Sequence, residues 1–380
     1  MYILIISRGI PTAKEPQWGC FEQDQAEALQ RAGHKVVVAS IDSRFMMKWR
    51  KIGIVCCHKN NVDYYNSFWI PGSITRLLGS RFNISIKERQ LDKIYKKIEK
   101  EHGKPDVIYS HFFFNTVLGV FLKNKYGIPL VGIEHAARFN SDKLDSFTKC
   151  NAEIAYKNAN RIITVCETLK NRLEYHFGCD STVVHNLVNP LFFQQGIISK
   201  KSSDIIQFVT TGSLVYRKGF DLLIKAVSLI SHKNKSVKFR IIGDGEERNK
   251  LQKQINDSKL NNIVTLEGLK TKNEIISILS ECDCFILPSR SENFSVAILE
   301  ALALGLPVIA TDCGGVKECI NGNNGLLVPV DDEIALSKAI TTMINNISSY
   351  NKEIIIEDCK SKFSPHAVAL KLTRVFEEIV

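Results

Sequence analysis

The strongest constraint on this chain is a pattern that runs once and then starts again. In the first half, short apolar runs rich in β-formers alternate with amphipathic helical stretches. The runs are YILIIS (2–7), KVVVAS (35–40), DVIYSH (106–111), PLVGIEH (129–135), RIITVC (161–166) and TVVHN (182–186), with helical stretches such as 21–32, 115–125 and 167–177 between them. The second half repeats the scheme with IIQFVTTGS (205–213), VKFRIIGDG (237–245), NIVTLEG (262–268), CFILPS (284–289), PVIATD (307–312) and GLLVPV (325–330), separated by helical stretches at 219–230, 245–258, 272–281 and 294–304. Continuous apolar strands alternating with helices predict a parallel sheet covered on both faces. A chain of 380 residues is also longer than one hydrophobic core usually serves. The expectation is an α/β chain of two Rossmann-like, doubly wound domains. The first spans 1–195 and the second 200–362. A terminal helix over 363–380, with no strand after it, packs back toward the first domain. The stretch LFFQQGIISKKSSD (191–204) ends polar and serine-rich and reads as a linker. Such sheets bind ligands beyond the carboxyl ends of their strands, so two domains facing a cleft would place their chemistry there.

Composition narrows the class. Apolar residues make up 44% and charged residues 24% of the chain, as in folded globular proteins. The charge is one-sided. Residues 1–200 carry 28 Lys+Arg against 18 Asp+Glu, a balance of +10, and residues 201–380 carry 22 against 22. A basic half suits an anionic membrane face, a nucleic acid or an anionic substrate, or is simply a solvated lysine-rich surface. RFMMKWRKIG (44–53) and WIPGSITRLLGSRFNISIKER (69–89) mix cations with apolar residues; this suits an interfacial contact, or equally a helix packing its apolar face inward. No nucleic-acid module is recognisable and the charge lacks interleaved aromatics, so no nucleic-acid partner is expected. Eleven cysteines form no paired CxxC motif and no Cys/His ladder. Cys56, Cys57, Cys282 and Cys284 read as small buried hydrophobes. The opening MYILIISRGIP lacks a basic leader segment and reads as a strand, which predicts a cytoplasmic protein. No apolar run approaches the ~20 residues of a membrane span.

The densest chemistry lies in SENFSVAILEALALGLPVIATDCGG (291–315), where Glu292 and Glu300 bracket the start of an apolar helix. Capping-type residues precede that helix, and a helix N-terminus is an anion site. Carboxylates at such a rim accept paired hydroxyls, as in the ribose contact of dinucleotide folds; a solvated glutamate on a surface helix is the plainer reading of Glu300. In GSLVYRKGFDLLIKA (212–226), Arg217 and Lys218 sit at a strand-to-helix turn where two cations can hold a diphosphate; a solvated basic loop is the alternative. GDGEE (243–247) places Gly243 at a strand end. In PTAKEPQWGCFEQDQAEAL (11–29), Gly19 precedes a helix and would permit close approach of a phosphate. His135 ends the run PLVGIEH, as a site residue or as a satisfied structural histidine. No Asp-x-Asp, no metal-ligand spacing, no GxSxG and no GxxxxGK[ST] is present.

Together these stretches resemble the retaining glycosyltransferases of family 4, the glycosyl transferases group 1, with the two-domain GT-B architecture. The likeness covers nearly the whole chain. It is carried by the E-x7-E pair Glu292/Glu300, by GNNGLLVP (322–329), GSLVYRKGFDLLIKA, IIGDGEERNKLQ and GCFEQDQAEALQRAGHKVVV, in that family's order. The resemblance implies roles. Glu292 would touch the donor sugar's hydroxyls and Glu300 the ribose hydroxyls. Backbone amides around Phe294, Ser295 and Val296 would meet the sugar and diphosphate. Lys218 matches the family's phosphate-binding lysine, Gly19 the N-terminal loop glycine, and His135 a histidine near the transferred sugar and acceptor; Glu292, His135 and Lys218 form the catalytic set. Gly243 joins the donor site. Two departures stand out. Ser213 occupies the place of a second phosphate-binding arginine, a role Arg217 would have to fill, and Asn293 and Ser295 stand where glycines are common.

The implied reaction moves a hexose-type sugar from a nucleotide-diphosphate sugar, UDP-sugar favoured, to a lipid-linked saccharide or surface polysaccharide precursor. It needs no metal and no cofactor. Lys218 and the helix N-terminus would stabilise the leaving diphosphate, same-face attack would retain the anomeric configuration, and closure would exclude water. The acceptor would bind the basic first domain, peripheral on the inner face of the cell membrane. The rival readings are a non-catalytic nucleotide-sugar-binding partner subunit and a sugar-nucleotide epimerase or hydrolase of the same fold.

Overall fold

A computed structural model describes the chain apart from residues 13, 14, 16, 17, 43–51, 69–79, 195–204 and 231–235. The chain forms two compact units, Met1–Asn186 with Pro365–Val380, and Leu187–Ser364.

The first unit is built on an eight-stranded sheet. β1 (Tyr2–Ser7) lies inside it, wholly buried, as its uninterrupted apolar sequence requires. The chain moves outward through β2 (Lys35–Asp42) to the hairpin β3 (Gly53–Lys59) and β4 (Val62–Phe68), then returns to the other side of β1 with β5 (Val107–His111), β6 (Leu130–Glu134), β7 (Arg161–Thr164) and β8 (Thr182–Val183). All pair in parallel except β3, which runs antiparallel to β4 at the edge. Helices α1 (Cys20–Arg31), α2 (Ser80–His102), α3 (Phe113–Tyr126), α4 (Ser146–Asn158) and α5 (Glu167–Phe177) join the strands.

The second unit repeats the winding with six strands, all parallel. β9 (Ile205–Thr211) is inside, β10 (Ser236–Ile242) and β11 (Val264–Gly268) lie to one side, and β12 (Cys284–Leu287), β13 (Val308–Thr311) and β14 (Gly325–Val328) lie to the other. Its helices are α6 (Phe220–Ser228), α7 (Arg248–Asp257), α8 (Lys272–Glu281), α9 (Val296–Ala303), α10 (Glu333–Asn346) and α11 (Lys352–Phe363). The core is close-packed: α6 buries Phe220, Leu222, Leu223, Ile224, Ala226 and Val227, and Phe208 stacks on Phe239 at 4.8 Å. Each such Phe, Leu, Ile or Val side chain, fully buried, contributes about 1.5–3 kcal/mol.

Both sheets therefore reverse direction beside their first strand, between β1 and β5 and between β9 and β12. In open α/β sheets that is where ligands bind.

The last helix, α12 (Pro365–Glu377), belongs to the first unit and packs on α1. Phe376 is fully buried against the Tyr109 ring, and His34 Nε2 meets Thr373 Oγ1 at 2.8 Å.

Some readings need correction. The hairpin β3–β4 falls where no strand was predicted. Its turn is legible in hindsight, because Asn60 and Asn61 both adopt positive φ, 51° and 59°, the conformation of a two-residue hairpin turn. Cys56 and Cys57 lie on that edge strand and are exposed, not buried, whereas Cys282 and Cys284 are buried as expected. TVVHN forms a strand over Thr182–Val183 alone. The predicted linker begins as structure, since a short 3-10 turn, Pro190–Phe193, buries Phe192; its remainder, 195–204, lies outside the described residues. So do 44–51 and 69–79 of the two amphipathic basic stretches. Among the described residues no helix is long and apolar enough to cross a membrane.

Candidate active site

In the second unit, the loops after β9 and β12 meet. After β9 the chain makes a 3-10 turn, Tyr216–Lys218, and enters α6 through Gly219, which has φ 67°. A Cβ at Gly219 would lie 1.9 Å from the Pro288 carbonyl oxygen, so only glycine lets the two loops approach this closely. The consequence is chemical. Lys218 Nζ reaches Glu292 Oε1 at 2.6 Å, Ser289 Oγ donates to the same oxygen at 2.8 Å, and Arg217 Nη1 lies 3.4 Å from Glu292 Oε2. Arg217 also donates to the Ser291 carbonyl at 2.6 Å. Glu292 is only 7% exposed. A buried carboxylate needs such partners, because desolvation without them costs several kcal/mol.

A second arginine holds this arrangement from behind. Arg290 grips Asp221 at the start of α6 with two bonds, of 2.7 and 2.8 Å, reaches Asp331 at 2.6 Å, and donates to the Tyr216 carbonyl at 2.7 Å. Its own backbone N–H donates to the Arg217 carbonyl at 2.8 Å. Its guanidinium also sits 3.9 Å from the Tyr216 ring centre. Burial pushes Asp221 upward, but the Arg290 contact outweighs it and holds the carboxyl below its ordinary range. The bidentate geometry fixes the loop carrying Lys218 against the loop carrying Glu292.

Beyond Glu292, Asn293, Phe294 and Ser295 are buried and lead into α9. The Asn293 carbonyl accepts from Gly315 N–H at 2.7 Å, and Phe294 packs on Phe363 at 5.7 Å. Ser295 is the N-cap of α9 and gives it no side-chain hydrogen bond. The helix begins at Val296, shortly after Glu292 in the chain, and its first N–H groups supply positive potential. Glu300 sits half-buried on the second turn of α9. Gly243 packs where a Cβ would meet the Gly212 carbonyl at 1.9 Å. Ser213, next to it, is exposed.

The first unit carries its own cluster at the equivalent point. After β1, Arg8 pairs with the buried Glu22 of α1 through bonds of 2.7 and 3.1 Å. The Arg8 guanidinium stands 4.2 Å over the Phe112 ring. Gly19, at φ 79°, is the N-cap of α1. His111 ends β5, and His135 directly follows β6. His111 registers with Ile133 across the sheet, so His135, two residues on, shares its face. The rings stack 5.3 Å apart with planes 5° from parallel, and His111 Nδ1 meets His135 Nε2 at 3.2 Å. Burial, aided by Arg8, pushes His111 down to about 3. Burial, then His111, hold His135 well below its ordinary value.

The family described as glycosyl transferases group 1 matches residues 194–355, and Glycosyltransferase Family 4 matches 23–190. An uncharacterized glycosyltransferase of Methanocaldococcus jannaschii is 32% identical over 300 residues, covering 76% of this chain and 79% of that one. The chain belongs to the group 1 glycosyltransferases. A protein named as a teichuronic acid biosynthesis glycosyltransferase of Bacillus subtilis is 26% identical over 362 residues, covering 90% of this chain and 88% of that one. Among solved structures, HepE of Anabaena in complex with UDP-glucose matches with a TM-score of 0.74 at 17% identity and full coverage of both chains. That likeness shows the fold, which is the GT-B fold of this family.

In this glycosyltransferase, the structure brings Lys218, Arg217 and Glu292 into one cluster, with Phe294, Ser295 and Val296 continuing the Glu292 loop, and puts Gly19 and His135 in the cluster of the other sheet. Sequence reasoning missed Arg8, Glu22, His111, Glu134 and Arg290. The signals existed: SRG and SHF each span the end of a strand, next to the loop that follows it. Glu134 is the clearest omission. It is fully buried and accepts from Phe113 N–H at 2.8 Å, His135 N–H at 2.8 Å, Ala136 N–H at 2.7 Å and Tyr156 Oη at 2.9 Å. Burial pushes its carboxyl up, against the pull of those donors. It ties the first turn of α3 to the loop that carries His135. Glu134→Ala is expected to cost about 2 kcal/mol in urea unfolding by leaving buried N–H groups unpaired; an unchanged midpoint would refute this role.

Proposed function

We propose that this glycosyltransferase transfers a hexose-type sugar, with retention and without a metal, from a UDP-sugar to a lipid-linked saccharide or other surface polysaccharide precursor. The observation that carries the reading is the Lys218–Glu292 contact at the switch point of the second sheet, at the threshold of α9. Two opposed charges held 2.6 Å apart are a divided site: the cation suits a diphosphate and the carboxylate suits sugar hydroxyls. As the sugar–oxygen bond breaks, charge grows on the departing diphosphate, and Lys218, Arg217 and the N–H groups of α9 are the groups that would stabilise it. Arg217 already turns its guanidinium toward the Glu292 loop, which supports its standing in for the arginine absent at Ser213. Glu300, further along α9, would take the ribose hydroxyls. The first unit would take the acceptor, with His135 in its strand-end cluster. A metal-free route is supported by Lys218 and Arg217, two cations held at the Glu292 loop where they can take the leaving group's charge.

The donor and acceptor classes rest on relatives: HepE binds UDP-glucose, and the Bacillus subtilis relative is named for teichuronic acid biosynthesis. The basic charge of residues 1–200 supports an anionic surface, an inner membrane leaflet, as the acceptor's setting.

The test is a thermal-shift series with UDP-, GDP- and ADP-sugars, followed by anomeric analysis of the product. UDP-sugars are expected to raise the midpoint selectively, and Glu300→Ala is expected to weaken the donor about tenfold through one lost charge-assisted hydrogen bond. A preference for another base would overturn the donor assignment, and an inverted product would overturn retention.

A further inference from the structure

We propose that this chain forms a two-fold dimer by antiparallel pairing of β3 with β3 of a second copy, so that the two Cys56 residues face each other across the axis. Among the described residues the two sheets end in four edge strands, β3, β8, β11 and β14. An open edge invites another strand, and folded proteins blunt it with short length, bulges, charge or proline. Three of the four are blunted. β8 has two residues and β14 has four. The register of β11 with β10 breaks between Ile241 and Ile242, and β11 carries Glu267, bonded to Arg240 at 2.8 Å. β3 uses none of these devices. Its seven residues, GIVCCHK, pair one for one with β4, from Gly53–Phe68 to Lys59–Val62, without a bulge. Its first five residues include no Asp, Glu, Lys, Arg or Pro. Val55 is 42% exposed, and Cys56 and Cys57 are both exposed.

Charge selects the occupant and its direction. The basic side chains of β3, His58 and Lys59, lie at its C-terminal end, where His58 Nδ1 meets Asp63 Oδ1 at 2.8 Å. Antiparallel self-pairing lays that end against the uncharged Gly53 end of the second copy. Parallel self-pairing would set Lys59 beside its own counterpart, and like charges directly opposite are destabilising. The charges that act on Cys56 and Cys57 are Lys59, Lys97, Asp63 and Glu101, two of each sign. The basic excess of residues 1–200 is therefore balanced at this edge, and two identical copies can approach there without net repulsion.

Symmetry then sets the register. Cys56 is the midpoint of Gly53–Lys59, so full overlap puts Cys56 opposite Cys56, Val55 opposite Cys57 and Ile54 opposite His58. Each contact recurs with the copies exchanged, as an isologous interface requires. Directly opposed Cα atoms lie about 4.5–5.5 Å apart, within the span of a disulfide. Cys57 faces the other side of the sheet and sits about 8 Å or more from its counterpart, outside that span. Helix α2 packs on β2 and β4. Across the axis the two copies of α2 are therefore about four strand spacings, or ~19 Å, apart, which exceeds a helix diameter. The pairing joins two eight-stranded sheets into one and gives partners to the outward N–H and C=O groups of β3. The strand-end rims of the two copies point opposite ways, so neither covers the other's cluster.

The experiment is sedimentation equilibrium of the full chain under reducing conditions, followed by cross-linking with copper-phenanthroline and dioxygen. Wild type at about 50 µM is expected to show twice the mass of one chain, as a micromolar Kd requires. Cys56→Lys puts two ammonium groups face to face on the axis and is expected to weaken the dimer by about tenfold or more. Its circular dichroism should match wild type, because residue 56 is exposed. In the second arm the oxidant takes two electrons from a pair of thiols, whose two protons pass to the buffer. A covalent dimer is expected in wild type and in Cys57→Ser, and none in Cys56→Ser, which should still sediment as a dimer. A wild-type chain that stays monomeric at this concentration overturns the proposal. So does a dimer that withstands Cys56→Lys, or a cross-link that runs through Cys57 or Cys150. None of these readouts needs a sugar, so they stand apart from the test of the proposed function.

Discussion

Lys218→Ala is expected to lower sugar transfer by about 10²–10³-fold in kcat, the loss typical of removing one group aimed at developing negative charge. The argument is geometric. The lysine is largely buried, and its ammonium lies 2.6 Å from a carboxylate that is itself held by Ser289 and Arg217. The Gly219 crossing and the Arg290 grip on Asp221 fix the loop that carries it. The cation is therefore placed before any donor arrives, and little reorganisation is needed during reaction. Lys218→Arg is expected to rescue poorly, because a planar fork cannot take the position of a compact ammonium between two crossing loops. Arg217→Ala is expected to cost about tenfold or less, since that side chain is 45% exposed and its contact with Glu292 is longer, at 3.4 Å. Single-turnover rates, with unfolding midpoints measured on the same preparations, decide the matter. Transfer by Lys218→Ala at the wild-type rate would remove the lysine from the mechanism, and with it the reading of the cluster as a diphosphate site.

Gly219→Ala is expected to destabilise the second unit by about 3 kcal/mol or more, an exceptional value for one methyl group. Two terms add. The left-handed backbone costs an L-residue roughly 1–2 kcal/mol. The new Cβ would also stand 1.9 Å from the Pro288 carbonyl oxygen, and two backbones would have to part. Gly33→Ala isolates the first term, because Gly33 has φ 92° with nothing within 4 Å of the built Cβ. Urea denaturation should therefore show a loss of about 1–2 kcal/mol at Gly33 and clearly more at Gly219. Equal losses would mean that the crossing at Pro288 is soft. Parting those loops would also draw Lys218 away from Glu292, so donor affinity should fall with stability at Gly219 and stay unchanged at Gly33.

What could be read beforehand divides along a physical line. The buried strands of both sheets announce themselves because they must be apolar on both faces. Their C-terminal glycines and the Glu292–Glu300 spacing follow from the close approaches a strand-end site requires. The edge hairpin β3–β4 gave no such signal: it has one solvated face, polar residues at HKNNVD, and exposed cysteines where burial was the simple guess. Partners across the sheet were also invisible. Arg8 reaches Glu22 only because α1 folds back along β1, and His111 reaches His135 only because β5 and β6 lie side by side. Nothing in the spacing of 8, 22, 111 and 135 along the chain encodes that adjacency. Arg290 and Asp221 were hidden for the same reason, although Arg290 lies two positions before Glu292 and Asp221 three after Lys218.

The return of α12 to the first unit has a consequence for biosynthesis. α1 is translated before α12, yet the surface of α1 waits for that helix, and the His34–Thr373 contact joins residues 339 positions apart. The first unit must therefore remain unfinished while the whole second unit is translated, with the apolar face that Val368, Leu372 and Phe376 will cover exposed in the nascent protein. The second unit, contiguous from Leu187 to Ser364, can close as soon as it emerges. Chain order and completion order are thus reversed, and the step that finishes the first unit is a late docking event between α1 and α12.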